Sequence, residues 1–220
     1  IWGGRARAYS LLALLTLISL WLFYEGVRDA SKGRRRLGLA ILVVAVFVHP
    51  ETALLLPAFF LGSLLLQHWR WWLHAGRLAE LALTAFGMAS RYLLQLALAQ
   101  GWLGGFETLA GSRPPLEPIV GLWSRFGALA PFFITSDRLA WTILALLALV
   151  AAVWQMRRQE RATESQPILF LSLCLWGIPA QMVLLFGRTY QSPRYLFFLL
   201  PIFCLLAGSG LGLLLKCNWL

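Results

Sequence analysis

A histidine and a glutamate interrupt a long apolar stretch of the chain, in the segment VFVHPETALLLP at residues 46–57. His49 and Glu51 flank Pro50. A protonated imidazole donates charge-assisted hydrogen bonds to anions, and a nearby carboxylate can orient the ring or contact a polar ligand. The same pattern fits an ordinary helix start, with proline at the first position and Glu51 in the first turn, where the helix dipole favours an anion. The sequence leaves both interpretations open.

Two arginines lie where apolar segments begin. Arg7 precedes Tyr9 by two residues, and Arg194 is followed directly by Tyr195 and an apolar run. Arginine suits phosphate because its planar guanidinium donates two parallel hydrogen bonds. Arginines at the ends of membrane helices also extend to lipid headgroups without binding a ligand, so both functions stay open here. For Arg91, inside an apolar segment, the position favours helix pairing or extension to the membrane surface.

The composition predicts the elements that position these residues. Hydrophobic residues make up 60% of the chain, charged residues 13%, and the mean hydropathy is +0.72. These values are typical of a polytopic membrane protein. The apolar blocks lack the two-residue alternation of barrel strands, so we predict helices. A helix of roughly 20 mainly apolar residues crosses the hydrocarbon core, and suitable stretches lie at residues 8–27, 78–98, 139–156, 167–187 and 195–215.

The remaining apolar stretch, residues 37–66, is longer than one ordinary span. Pro50 removes a backbone donor and disfavours helical geometry at His49. One continuous helix would also move the basic cluster at residues 157–161 to the outer side of the membrane. We therefore predict a hairpin of two short helices with its tip at the outer face. The fold class is thus all-α, a single transmembrane bundle over residues 1–220 with about seven membrane segments.

The net charge of +10 comes from short basic clusters between the apolar segments. Because these clusters form no continuous basic face, we predict no nucleic-acid partner. The positive-inside rule assigns these clusters to the cytoplasm. The largest clusters lie at residues 28–36, which we predict to form a loop, and at residues 157–161. We expect anionic membrane lipids as partners, with Arg70 and Arg77 near the headgroups.

One long connection, residues 99–138, is expected on the outer side. Within it Leu122, Phe126, Leu129 and Phe133 recur at helical spacing. This spacing predicts an amphipathic helix over residues 118–134 that lies in the membrane interface.

Motifs of soluble enzymes are missing from the sequence. It contains no GxSxG, HExxH, phosphate-binding loop or dinucleotide fingerprint. The three cysteines have no histidine or second cysteine at metal-ligand spacing. We therefore predict no cofactor and no metal site from these residues.

Three segments carry a resemblance to a known family. They are RARAYSLLALLTLISLWLFYEG, LGLAILVVAVFVHPETALLLPAFFLGSLLL and SPRYLFFLLPIFCLLAG. Together they resemble the bacterial GT-C-fold glycosyltransferases that use lipid-linked sugars, a group that includes mannosyltransferase-like and lipopolysaccharide-core-modifying enzymes. In that family an arginine two residues before a tyrosine opens a span, a short span ends in histidine or lysine, and a late span begins with Arg-Tyr. Arg7, His49 and Arg194 occupy the matching positions.

The resemblance implies a membrane glycosyltransferase of the bacterial inner membrane. Such an enzyme transfers a sugar from a polyprenyl-phosphate donor to an acceptor at the outer face. His49, Glu51, Arg194 and Arg7 would then bind the donor, a lipid-linked sugar. Two alternatives from other classes are a transporter or flippase of lipid-linked substrates and a non-catalytic membrane scaffold.

The resemblance leaves the catalytic residue unassigned. The family's acidic catalytic motif lies in its first outer loop, and no residues of this chain match it. We therefore expect the chain to be a fragment that begins after that loop. By the same expectation, any residues that bind a divalent metal would lie in the part of the protein that precedes this fragment.

Overall fold

The fold is built from helices of unequal length. The computed structural model describes residues 2–67, 73–99, 122–136, 138–157, 162–185 and 193–217. The α-helices are α1 (Trp2–Arg28), α2 (Lys32–Val48), α3 (Leu55–Leu66), α4 (Ala75–Ala99), α5 (Leu122–Leu129), α6 (Pro131–Ile134), α7 (Leu139–Arg157), α8 (Ala162–Leu185) and α9 (Leu200–Cys217). Two 3₁₀ helices, Pro50–Leu54 and Pro193–Leu199, precede α3 and α9. The described residues contain no strand, which confirms the all-α prediction for them.

Three helical segments are long and apolar enough to cross a membrane. They are Tyr9–Arg28, Leu139–Arg157 and Ser165–Leu184, found among the described residues. Two shorter apolar segments, Pro50–Leu66 and Leu196–Gly212, accompany them. Their length and composition fit a membrane helical bundle. The number of about seven spans is a proposal.

The chain reverses direction at His49. α2 ends where the His49 N–H donates to the Ala45 carbonyl at 2.8 Å. His49 itself is extended, with φ −148° and ψ 115°, as expected for a residue before proline. The end of α3 returns to the end of α1, because Gln67 Nε2 donates to the Val27 carbonyl at 3.1 Å. The helices α2 and α3 therefore form the hairpin that we predicted from the position of Pro50.

Two glycines bring α1 and α2 into close contact. A Cβ atom at Gly38 would lie 2.7 Å from the Phe23 nitrogen, and one at Gly26 would lie 2.3 Å from the Arg35 nitrogen. The Ser19 hydroxyl donates to the Gly38 carbonyl at 2.8 Å. Small residues allow helix backbones to approach in this way within membrane proteins.

Aromatic rings join α1, α3 and α8 in the core. The rings of Phe23 and Phe59 are stacked with their centroids 4.6 Å apart, and Phe170 lies 5.9 Å from Phe59. Gly62 leaves room for Phe170, since a Cβ atom there would lie 2.3 Å from the ring. All three phenylalanines are almost fully buried.

Contacts between helix termini define two ends of the bundle. The His49 end contains Tyr9, His49, Arg91, Arg138 and Phe197. The Arg28 end contains Arg28, Arg35, Gln67 and Glu80. The 20 residues from Tyr9 to Arg28 join the two ends. They span about 30 Å as an α-helix, which matches the thickness of about 30 Å of the hydrocarbon core.

The predicted interfacial helix is only partly correct. Residues 122–129 are helical, but Ala130 separates α5 from α6, which begins at Pro131, and residues 118–121 lie outside the described ones. Phe126 is 47% exposed, whereas Leu129 and Phe133 are buried in the bundle. The break comes at Pro131, which has no N–H to continue the hydrogen bonding of α5.

The basic segment predicted as a loop is largely helical. α2 begins at Lys32, so the arginines at 34, 35 and 36 lie in its first two turns. Arg35 is 2% exposed, and its guanidinium contacts Glu80 of α4. The buried Glu80 carboxylate, 45 residues away in the sequence, stabilises the buried Arg35. The local charge pattern did not indicate this partner.

Candidate functional site

Three distant parts of the chain meet around His49. The Tyr9 ring of α1 lies 5.8 Å from the His49 ring, measured between centroids. Phe198 of the second 3₁₀ helix lies 6.4 Å from His49, and Phe197 lies 5.9 Å from Tyr9. The start of α1, the hairpin tip and the second 3₁₀ helix therefore form one site.

His49 and Glu51 are paired at the hairpin tip. His49 Nδ1 lies 2.5 Å from Glu51 Oε2, within ion-pair distance although outside hydrogen-bond geometry. Both side chains are 17% exposed, so they remain partly accessible. The Thr52 hydroxyl donates to the His49 carbonyl at 2.7 Å and stabilises the turn. The carboxylate thus lies where it can orient the imidazole.

Arg7 and Arg194 lie on the two helices that meet beside His49. Arg7 belongs to α1, two residues before Tyr9. Arg194 belongs to the second 3₁₀ helix, one turn before Phe197. Because Tyr9 and Phe197 are in contact, the backbone positions of all four predicted site residues belong to the His49 end.

The sequence analysis missed Arg138 as a member of this site. Its guanidinium carbon lies 5.5 Å from the Phe132 ring centroid and 5.6 Å from that of Phe197. Its Nη1 also donates to the Phe132 carbonyl at 3.4 Å. The available signal was its position directly before the apolar run that begins at Leu139, which repeats the pattern of Arg7 and Arg194.

Arg91 pairs helices at the same end. Its Nη1 donates a hydrogen bond to the Val46 carbonyl near the end of α2. The bond joins α4 to the hairpin and confirms the helix-pairing interpretation. Arg91 is therefore structural at this contact.

The arrangement favours an anionic ligand over a metal ion. Among the side chains described at the His49 end, Glu51 is the only carboxylate, whereas Arg91 and Arg138 are cationic. The described residues contain no group of three or more histidine, cysteine or acidic side chains able to hold a metal. Zinc sites in proteins use three or four such ligands. Imidazole and guanidinium groups instead donate to phosphate or carboxylate oxygens.

Comparisons of the chain with protein-family models, with curated proteins and with solved structures give no match. The functional assignment therefore depends on the residues and the geometry of this chain.

Proposed function

We propose that the protein is an integral-membrane glycosyltransferase whose donor is a polyprenyl-phosphate sugar. The His49 end binds the donor phosphate. One observation carries this proposal: the three sequence segments that resemble GT-C enzymes come together in space at Tyr9, His49 and Phe197. The resemblance concerned local motifs only, and their convergence at one end of the bundle is what supports a common site.

The chemistry of the site suits a leaving phosphate. When an acceptor hydroxyl attacks the anomeric carbon, negative charge develops on the lipid phosphate, and preorganised cations stabilise that charge. His49, oriented by Glu51, and Arg138 supply donors here, and Arg7 and Arg194 contribute from the two helices beside them. The surrounding aromatic rings bury most of His49 and Glu51, and partial burial strengthens such interactions.

The same proposal orients the protein in the membrane. About seven segments cross it, with the His49 end at the outer face and the Arg28 end at the cytoplasm. The support comes from the helix direction, which alternates between the two ends, and from the basic residues at the Arg28 end. A bacterial inner membrane fits this orientation and the lipid-linked donor.

Binding of farnesyl phosphate, compared with farnesol, tests the phosphate site. Both probes have the same apolar chain, so the difference in affinity isolates the phosphate. We expect His49→Ala and Arg138→Gln to weaken farnesyl phosphate binding roughly ten- to a hundred-fold, as for loss of one charge-assisted contact, and to leave farnesol binding unchanged. Arg34→Gln, at the Arg28 end, is the matched control.

Two outcomes would contradict the proposal. Equal binding of the two probes by the wild-type protein would exclude phosphate recognition. Unchanged farnesyl phosphate binding in both His49→Ala and Arg138→Gln would exclude the His49 end. Thermal unfolding of each purified variant separates a lost contact from a lost fold.

Cysteine labelling tests the orientation. Thr52 at the hairpin tip is a poor reporter because it is fully buried. Ser136 and His74 are exposed and lie towards opposite ends of the bundle. In a background without the native cysteines, Ser136→Cys should react with an impermeant thiol reagent added outside, and His74→Cys should not. Labelling of His74→Cys from outside would exclude the proposed topology.

A further inference from the structure

A groove of about 580 Å³ lies between α2 and α4 in the half of the bundle nearest the Arg28 end. Its size falls within the range of about 300–1,000 Å³ that is usual for ligand sites. Leu39 and Val43 of α2 and Leu83 of α4 form apolar walls, whereas Arg36 and Glu80 line its polar end. The groove therefore has an apolar length and a charged end.

Positive charge is in excess at the polar end. The Glu80 carboxylate accepts hydrogen bonds from Arg35 Nε at 2.7 Å and from Arg36 Nε at 2.7 Å. Arg77 interacts electrostatically with both Arg35 and Glu80. Two guanidinium groups thus contact one carboxylate, and Arg77 adds a third positive charge within electrostatic range of it. The Arg36 side chain is 62% exposed, so it remains accessible to an anion while it contacts Glu80.

The outer surface around the groove is apolar. Val44, Leu83 and Phe86 are 53%, 70% and 67% exposed. Exposed apolar area of this kind belongs in lipid if α2 and α4 lie in the membrane. Beyond the groove the two helices are in contact, since a Cβ atom at Gly87 would lie 3.2 Å from the Val43 methyl carbons. A long apolar chain can therefore enter from the lipid side and end near Val43.

We infer that this groove binds an anionic membrane phospholipid. One acyl chain lies along Leu39, Val43 and Leu83, and the headgroup phosphate contacts Arg36 and Arg77. Charge complementarity selects an anionic headgroup, and the apolar walls select a molecule with an acyl chain. The inference requires that the helices lie in a membrane, and it does not require glycosyl transfer.

Retention of phosphatidylglycerol by the purified chain tests this inference. The protein in a nonionic detergent is titrated with phosphatidylglycerol, and bound lipid is measured by native mass spectrometry. We expect Arg36→Gln to weaken binding about five- to tenfold, as for loss of one cation near a lipid phosphate. Gly76→Leu should also weaken it, because Gly76 lines the groove and has open space where a Cβ atom would point.

Two matched controls accompany these variants. Gly33 also has open space at its Cβ position, lies in the first turn of α2 and does not line the groove, so Gly33→Leu should bind lipid normally. Arg34→Gln removes an exposed arginine of the same helix that pairs with Glu25 and Asp29, and it should also bind normally. Both controls keep the basic cluster and the helix start otherwise intact.

The possible results separate the alternatives. Equal retention of phosphatidylcholine would overturn the role of the charge, and equally tight binding of glycerol phosphate would overturn the role of the acyl chain. Wild-type binding by both Arg36→Gln and Gly76→Leu would overturn the site. Because the readout is bound phospholipid, none of these results depends on donor binding at the His49 end.

Discussion

The two ends of the bundle organise their charges differently. At the Arg28 end, carboxylates and arginines of the chain pair with one another: Glu80 with Arg35, and Asp29 with Arg28 and Arg34. At the His49 end, one described carboxylate, Glu51, contacts His49. Of the arginine side chains described there, Arg138 contacts aromatic rings, and both Arg138 and Arg91 donate to backbone carbonyls.

This difference indicates what each end does. Charges that satisfy one another inside the chain hold helices together, and Arg35 with Glu80 connects α2 to α4 in this way. Cationic side chains that lie together with few carboxylates of the protein nearby favour the binding of an anion from outside. We therefore interpret the buried part of the Arg28 end as structural, and the contrast supports the anion site that we propose at the His49 end.

Glu80→Gln should produce the largest effect. Arg35 is 2% exposed and its two hydrogen bonds to Glu80 measure 2.7 and 3.1 Å. Removing one partner of a buried ion pair leaves an uncompensated charge and typically costs about 3–5 kcal/mol. We expect a correspondingly large fall in stability, measured by unfolding in detergent. Arg34→Gln, on an exposed side chain, should change stability by less than about 1 kcal/mol. Equal stability of Glu80→Gln and wild type would contradict the structural role of the pair.

Arg194→Lys should have the next largest effect, on function and not on stability. Lysine keeps the charge but loses the bidentate fork that suits phosphate. In the full-length enzyme, we expect sugar transfer from a polyprenyl-phosphate donor to fall roughly ten- to a hundred-fold, equivalent to about 1.5–3 kcal/mol. Arg194→Ala should lose as much or more. Full activity in Arg194→Lys, with loss only in Arg194→Ala, would indicate a simple charge contact and weaken the phosphate assignment.

The sequence predicts elements well where the signal is local. The apolar blocks at 78–98 and 139–156 correspond closely to α4 (Ala75–Ala99) and α7 (Leu139–Arg157). The reversal at His49 is also local, because proline restricts the residue before it. Each of these features depends on neighbours within a few turns of the chain.

Contacts between distant residues could not be predicted in the same way. Arg35 and Glu80 are 45 positions apart. The sequence of the basic cluster shows that Arg35 is positively charged but does not show which carboxylate pairs with it. Arg138 follows a long connection, so its approach to Phe197 depends on how α7 packs against the second 3₁₀ helix. At the predicted site the pattern identified His49 and Glu51, but their pairing and their neighbours required the fold.

Gly38→Ala tests whether close packing of α1 and α2 supports the Arg28 end. The added Cβ atom would lie 2.7 Å from the Phe23 nitrogen and 2.9 Å from the Ser19 carbonyl oxygen. Both are backbone atoms and cannot rotate away, so overpacking should cost about 1–3 kcal/mol. Gly33→Ala in the same helix meets nothing within 4 Å and should be neutral or stabilising by about 0.5–1 kcal/mol. Unfolding in detergent compares the two, and similar stabilities would show that the helices separate without penalty.

The smallest effect should come from the exposed pair at the Arg28 end. The hydrogen bond from Arg28, with the charges of Arg28 and Arg34, lowers the pKa of Asp29. A lowered carboxyl pKa stabilises the folded state above the ordinary value of about 3.9 and loses this contribution as pH falls through the lowered pKa. Asp29→Asn should therefore reduce the unfolding temperature slightly at neutral pH, and the difference from wild type should disappear in acid. High salt should also reduce it, because exposed pairs are screened. If the difference in unfolding temperature between Asp29→Asn and wild type persisted in acid and in high salt, Asp29 would contribute through packing. The exposed network at Asp29 would then resemble the buried pair of Arg35 and Glu80 more closely than we infer.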